Sequence, residues 1–91
     1  MLAGWLEERG LAGRVEQANI IPEWPGLVGP QIAAVTSPTS VSPDGTLWVQ
    51  VDTNAWMTEL TLLEPELLRA LNDRIRRAPL RRIRWQIRGR T

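Results

Sequence analysis

Hydrophobic and polar positions alternate most cleanly near the end of the chain. Over residues 80–90 a period of two puts Ile83, Trp85 and Ile87 on one side and Arg82, Arg84, Gln86 and Arg88 on the other. This is the pattern of a strand buried on one face and solvated on the other. A second alternating run, residues 46–52, turns Leu47, Val49 and Val51 inward and Trp48 and Gln50 outward. Asp44-Gly45 immediately before it is a tight-turn signal, so a hairpin is expected whose first strand is a short extended stretch around residues 39–42. Pro38 and Pro43 mark that first strand as an edge, and the Ser/Thr/Pro-rich residues 36–44 otherwise read as loop.

Helical spacing fills the rest. Leu2, Trp5 and Leu6, continued by Leu11, Val15 and Ala18, predict one helix over about residues 2–18, bent at Gly10, with Asn19 as its exit and Pro22 blocking further helix. Trp24, Val28, Ile32 and Val35 share a face of a second, shorter helix, with Pro25 in its first turn. Pro30 starts a fresh turn or kinks that helix, and Gly29 is read as the point of close approach to a neighbouring element. The longest helix is expected over about residues 54–77, capped by Thr53 or Asn54. Trp56, Leu60, Leu63, Leu67, Leu71 and Ile75 form its stripe, Glu66, Arg69 and Asp73 pair on its surface, and Pro65 should kink or split it.

The resulting order is helix, short helix, strand, strand, helix, strand. The long helix supplies the crossover that a parallel last strand requires. Helices on one face of a three-stranded sheet make a two-layer α+β fold, and 91 residues suit one such domain, residues 1–91.

Composition then removes whole classes of chemistry. The chain has no Cys and no His, and neither Lys nor Tyr occurs. Disulfides, thiolate or imidazole metal sites and the usual general bases are therefore absent. No catalytic arrangement, cofactor motif or metal-ligand set can be read, and an enzyme is not expected. No apolar run is long enough to span a bilayer, so a cytoplasmic protein with no membrane partner is the default.

Charge changes the picture more. Residues 1–68 carry two Arg against nine acids, a net −7, whereas residues 69–91 carry nine Arg against Asp73 alone, a net +8. Every cation is Arg, which binds phosphate through a planar fork and stacks on aromatic rings. On the outer face of the sheet the basic strand would bring Arg82, Arg84 and Arg88 beside Trp48 from the middle strand. Arg81, Arg77 and Arg90 would extend the patch, with Arg74 and Arg76 flanking it. Arginines that fix phosphates next to an indole that can stack on an unpaired base predict DNA binding through the sugar-phosphate backbone, without readout of a base sequence. The plainer reading of the same residues is a solvated basic tail, with Trp48 packed beneath an Arg stem or in a subunit interface. Gly26-Leu27-Val28-Gly29 has the spacing of the phosphate-clamping loop of KH modules, but it lies on an apolar face with no cation nearby and reads as packing.

Several short pieces occur together and in order: Trp24 followed by Val28-Gly29, Thr36-Ser37-Pro38, Asp44-Gly45-Thr46-Leu47-Trp48-Val49, Asn54-Ala55-Trp56 with Leu60, and Leu71-Asn72. In this combination the chain resembles the DciA family of bacterial replicative-helicase loaders. The resemblance covers about residues 11–88. It implies a KH-like fold, binding to single-stranded or forked DNA in a nucleoid-associated setting, and assistance in loading a DnaB-type helicase at replication initiation. Members commonly carry a further basic extension, so a chain ending at Thr91 is either a natural short form or a piece of a longer protein. With no Gly-x-x-x-x-Gly-Lys motif, any loading proceeds without ATP hydrolysis by this chain. The competing expectation is a protein-interaction module that pairs its acidic front with a basic back, as a homodimer or with another protein, and binds no nucleic acid.

Overall fold

The computed structural model describes residues 11–75 and 78–88. Their elements are α1 (Leu11–Val28), α2 (Pro30–Ala33), β1 (Thr36–Val41), β2 (Thr46–Val51), α3 (Asn54–Arg74) and β3 (Arg82–Ile87). The expected α-α-β-β-α-β order and two-layer α+β architecture are present, and a KH-like arrangement is compatible with them. The sheet order is β1-β2-β3, antiparallel between β1 and β2 and parallel between β2 and β3, with α3 as the crossover. The stretch of the first predicted helix before Leu11 lies outside the described residues.

α1 departs from expectation in extent and in rotation. It does not exit at Asn19 but runs through Pro22 and Pro25 to Val28. Each proline deprives the carbonyl four residues earlier of its partner. Both prolines are exposed, and the residues whose carbonyls they orphan, Ala18 and Ile21, are exposed and partly exposed, within reach of water. The buried face is set by Gln17, Ile20 and Trp24, while Val15 is 51% exposed and Ala18 is exposed as well. Two long-range hydrogen bonds hold this orientation. Gln17 Nε2 donates to the Ala78 carbonyl at 2.7 Å, and Trp24 Nε1 donates to Thr36 Oγ1 at 2.8 Å. Thr36 Oγ1 in turn donates to the Ile32 carbonyl at 2.7 Å, tying α1, α2 and β1 together.

Gly29 separates α1 from α2 with φ 94°, a conformation in which a Cβ would be strained. A Cβ there would meet nothing within 4 Å, so this glycine serves the bend and not a close approach. Pro30 follows as the first residue of α2, the place where a missing N–H costs nothing.

β1 starts at Thr36, three residues earlier than predicted, and so takes in Pro38. Its pairing slips between Pro38 and Ser40, a bulge next to the proline on an edge strand. The Asp44-Gly45 turn is present with Gly45 at φ 90°, and Ser42 N–H donates to the Thr46 carbonyl at 2.8 Å.

α3 is capped by Thr53, whose Oγ1 accepts from the Trp56 N–H at 3.1 Å. It stays one helix through Pro65, because Pro65 and the orphaned carbonyl's residue Thr61 are both exposed. Leu60, Leu67, Leu71 and Ile75 from its stripe are buried, and Trp56 and Leu63 are partly so. The expected surface pairing of Glu66, Arg69 and Asp73 gives way to a tie between helices, Arg74 Nε to Glu23 Oε1 of α1 at 2.8 Å. Asn72 then fastens the passage to β3 by donating to the Leu80 carbonyl and accepting from the Leu80 N–H, at 3.0 and 2.7 Å.

Leu47, Val49 and Val51 of β2 are fully buried between the helices and the neighbouring strands, as the alternation predicts. β3 completes this core less fully than expected. Ile83 is buried, Trp85 is half-buried, and Ile87 is 37% exposed at the end of the sheet. The Trp85 indole nitrogen is enclosed without an acceptor among the described residues.

Candidate nucleic-acid interface

The helices pack on the face carrying Leu47, Val49 and Val51, which leaves the opposite face of the sheet open among the described residues. The parallel register sets Thr46 opposite Arg82, Trp48 opposite Arg84, and Gln50 opposite Gln86. On the other side Ser40 pairs with Trp48 and Ser37 with Gln50. Trp48 therefore sits mid-sheet, flanked by a serine and an arginine. Its indole Nε1 donates to Ser42 Oγ at 2.6 Å, which fixes the ring's orientation. The indole is half-buried, between the fully packed and fully solvated readings of the sequence.

The arginines placed by sequence in the patch have different fates. Arg82 is exposed but engaged: its NH1 donates to Asp44 Oδ2 at 3.3 Å and to Thr46 Oγ1 at 3.1 Å. Arg88, one residue past β3, pairs through Nε with Asp52 Oδ1 at 2.7 Å, while its backbone N–H donates to the Val51 carbonyl. Arg84, between them, is exposed and has no carboxylate partner among the described residues. Arg81 lies at the hairpin end, where its N–H donates to the Gly45 carbonyl at 2.8 Å and its stem runs along Gly45. A Cβ on Gly45 would come within 3.1 Å of Arg81 Cγ, so a larger residue would crowd the Arg81 stem as well as strain φ. Arg74 belongs to the helical layer through its pair with Glu23 and does not extend the patch. Arg76, Arg77 and Arg90 lie outside the described residues.

Sequence reasoning missed the two acids that bracket β2. Asp44 stands two residues before Thr46 and Asp52 one residue after Val51, so the parallel register brings them to the two ends of β3. The signal was in the sequence, but it could not be read without that register. Hydrogen bonding from the Thr46 side chain, with smaller contributions from its N–H and from Arg82, holds the Asp44 carboxyl below its ordinary value of 3.8 against the opposing pull of burial. The resulting face is less positive than the run of arginines suggests, with Arg84, which has no carboxylate partner among the described residues, at the centre beside the indole.

These features define a two-layer α+β domain presenting an arginine and an indole side by side on an open sheet. Among the described residues no group of three or more acids could hold a metal ion, and no helix is long and apolar enough to cross a membrane. A family model described as "Dna[CI] antecedent, DciA" matches residues 1–85, and the chain belongs to the DciA family. Similar proteins include the UPF0232 protein of Mycobacterium ulcerans, 34% identical over 62 residues, covering 68% of this chain and 33% of the relative. The UPF0232 protein of Mycolicibacterium smegmatis is 36% identical over 62 residues, 68% of this chain and 31% of the relative. That of Streptomyces avermitilis is 33% identical over 82 residues, 89% of this chain and 45% of the relative. The chain thus spans about a third of the length of the mycobacterial relatives it matches.

Proposed function

We propose that this domain binds single-stranded or forked DNA through the sugar-phosphate backbone and assists the loading of a DnaB-type replicative helicase, with no ATPase activity of its own. The observation that carries the DNA half of this reading is the placement of Arg84 directly across the ladder from Trp48 on the uncovered face. A guanidinium can fix a phosphate while the neighbouring indole stacks on an unpaired base, a combination that suits single strands and is indifferent to sequence. Arg82 and Arg88 stand at either end of the same row, and each can exchange a solvent-exposed carboxylate for a phosphate at little cost. Membership of the DciA family supports the helicase half. A gel-shift titration with single-stranded, double-stranded and forked DNA, combined with co-purification with the cognate helicase, tests both halves. Retention of forked or single-stranded DNA and of the helicase at low salt is expected, and absence of both would remove the proposal.

The pairing of Arg82 and Arg88 with acids also favours a second reading, a protein-interaction module without nucleic acid. It predicts no shift with any DNA in the same titration.

A further inference from the structure

The two edges of the sheet are treated differently. β1 is blunted by Pro38, which offers no N–H, and by the slipped pairing between Pro38 and Ser40. β3 has neither device. In the parallel ladder the Arg88 N–H meets the Val51 carbonyl, and by the same alternation Arg84 and Gln86 direct their backbone groups toward β2. The backbone groups of Ile83, Trp85 and Ile87 therefore point to the free edge. The Ile83 N–H is taken by Glu64 Oε2 at 3.0 Å, a side-chain cap from α3. The N–H and C=O groups of Trp85 and Ile87 have no partner among the described residues.

We propose that the Trp85–Ile87 edge receives an extended segment of another protein, added as a fourth strand, in which acidic and apolar residues alternate. Main-chain bonds to Trp85 and Ile87 would give affinity, and alternate side chains would give specificity. Side chains of the added strand that share a face with Trp85 and Ile87 meet a half-buried indole and an exposed isoleucine, and so should be apolar. Those on the other face meet Arg84, flanked by Arg82 and Arg88, and so should be acidic. A second copy of the chain fits poorly. Its β3 would bring another row of arginines against this one, and its β1, Thr36–Val41, has no acid and carries the proline and bulge. This site requires no nucleic acid.

The test is a titration of the isotope-labelled chain with a blocked synthetic peptide of alternating valine and glutamate, read by amide shifts and hydrogen exchange. Exchange at the Trp85 and Ile87 amides should slow at least about tenfold at saturation, and lysine in place of glutamate in the peptide should weaken binding by at least about tenfold. Ile87→Pro removes an outward-facing N–H without touching the β2 ladder and should abolish binding. Arg84→Glu, at an exposed position, should reverse the preference between the two peptides and gives the answer should the proline variant not fold. Equal binding of both peptides, or shifts without slowed exchange at Trp85 and Ile87, would overturn the proposal. Concentration-dependent protection of that edge without peptide would overturn it too, by assigning the edge to a second copy.

Discussion

Trp48 and Arg84 stand opposite each other across the parallel β2–β3 ladder, on the face of the sheet that no described helix covers. One comes from a hairpin strand and the other from a strand reached only after the crossover helix α3, so their proximity is a product of topology. The ring is fixed by its bond to Ser42, and the guanidinium is free of carboxylates among the described residues. To either side, Arg82 and Arg88 are held by Asp44 and Asp52, which bracket β2.

That bracketing makes the acids restraints on any DNA bound to this face. Asp52→Asn should release Arg88 and strengthen DNA binding by about two- to fivefold, the scale of an exposed ion pair. Fluorescence anisotropy at fixed low salt checks this. Asp52 is the better choice because Asp44 also accepts from the Thr46 N–H in the turn, so its substitution would disturb the hairpin.

The fold responds to acid through two paired carboxylates. Arg74 donates to both Glu23 oxygens and holds that carboxyl below its ordinary value of 4.5, and Asp44 is likewise held below 3.8. Because both values are lower in the folded state, their stabilisation is present above the unfolded values and is lost as pH falls through the folded ones. Thermal melts should therefore be flat down to about pH 4.5 and decline below it. Glu23→Gln should reduce that decline by removing one of the two groups.

Trp24 and Trp85 should respond to substitution in opposite ways. Trp24 is 2% exposed and donates to Thr36, so Trp24→Phe should cost about 2 kcal/mol or more from lost volume and the loss of one buried hydrogen bond. Trp85→Phe removes an enclosed indole N–H that has no acceptor among the described residues, and should be neutral within about 1 kcal/mol or stabilising. Denaturant titration of the two variants against the parent separates these outcomes.

Pro65→Ala should raise stability by about 1–3 kcal/mol, since it restores the hydrogen bond to the Thr61 carbonyl at an exposed position within α3. The same titration measures it.

Where a single period governed a segment, the sequence was readable. The alternation in β2 named its three buried hydrophobic residues, and the Leu60–Leu67–Leu71 spacing named the core face of α3. It failed at prolines, because whether Pro22, Pro25 or Pro65 ends a helix depends on whether the carbonyl it orphans faces water, a tertiary fact. The face of α1 was misjudged for a related reason: its orientation is set by Trp24 and by the bond from Gln17 to Ala78, 61 positions away. At the candidate site, strand order alone put Arg82, Arg84 and Arg88 on one face with Trp48, and the register then set Arg84 opposite the indole. The neutralising acids did not follow from strand order, since they depend on the register. Ile87 was assigned to the core by alternation, but at the end of its strand little packs over it and it stays 37% exposed.

If Arg84 beside Trp48 forms the DNA contact, removing its guanidinium should weaken binding without disturbing the fold. Binding of Arg84→Ala to fluorescently labelled single-stranded DNA, measured by anisotropy with the fold verified by circular dichroism, tests this most directly. An intact fold is expected, with an affinity loss of at least about tenfold and a shallower dependence on salt than the parent. Unchanged affinity and salt dependence in a folded Arg84→Ala variant would contradict that contact.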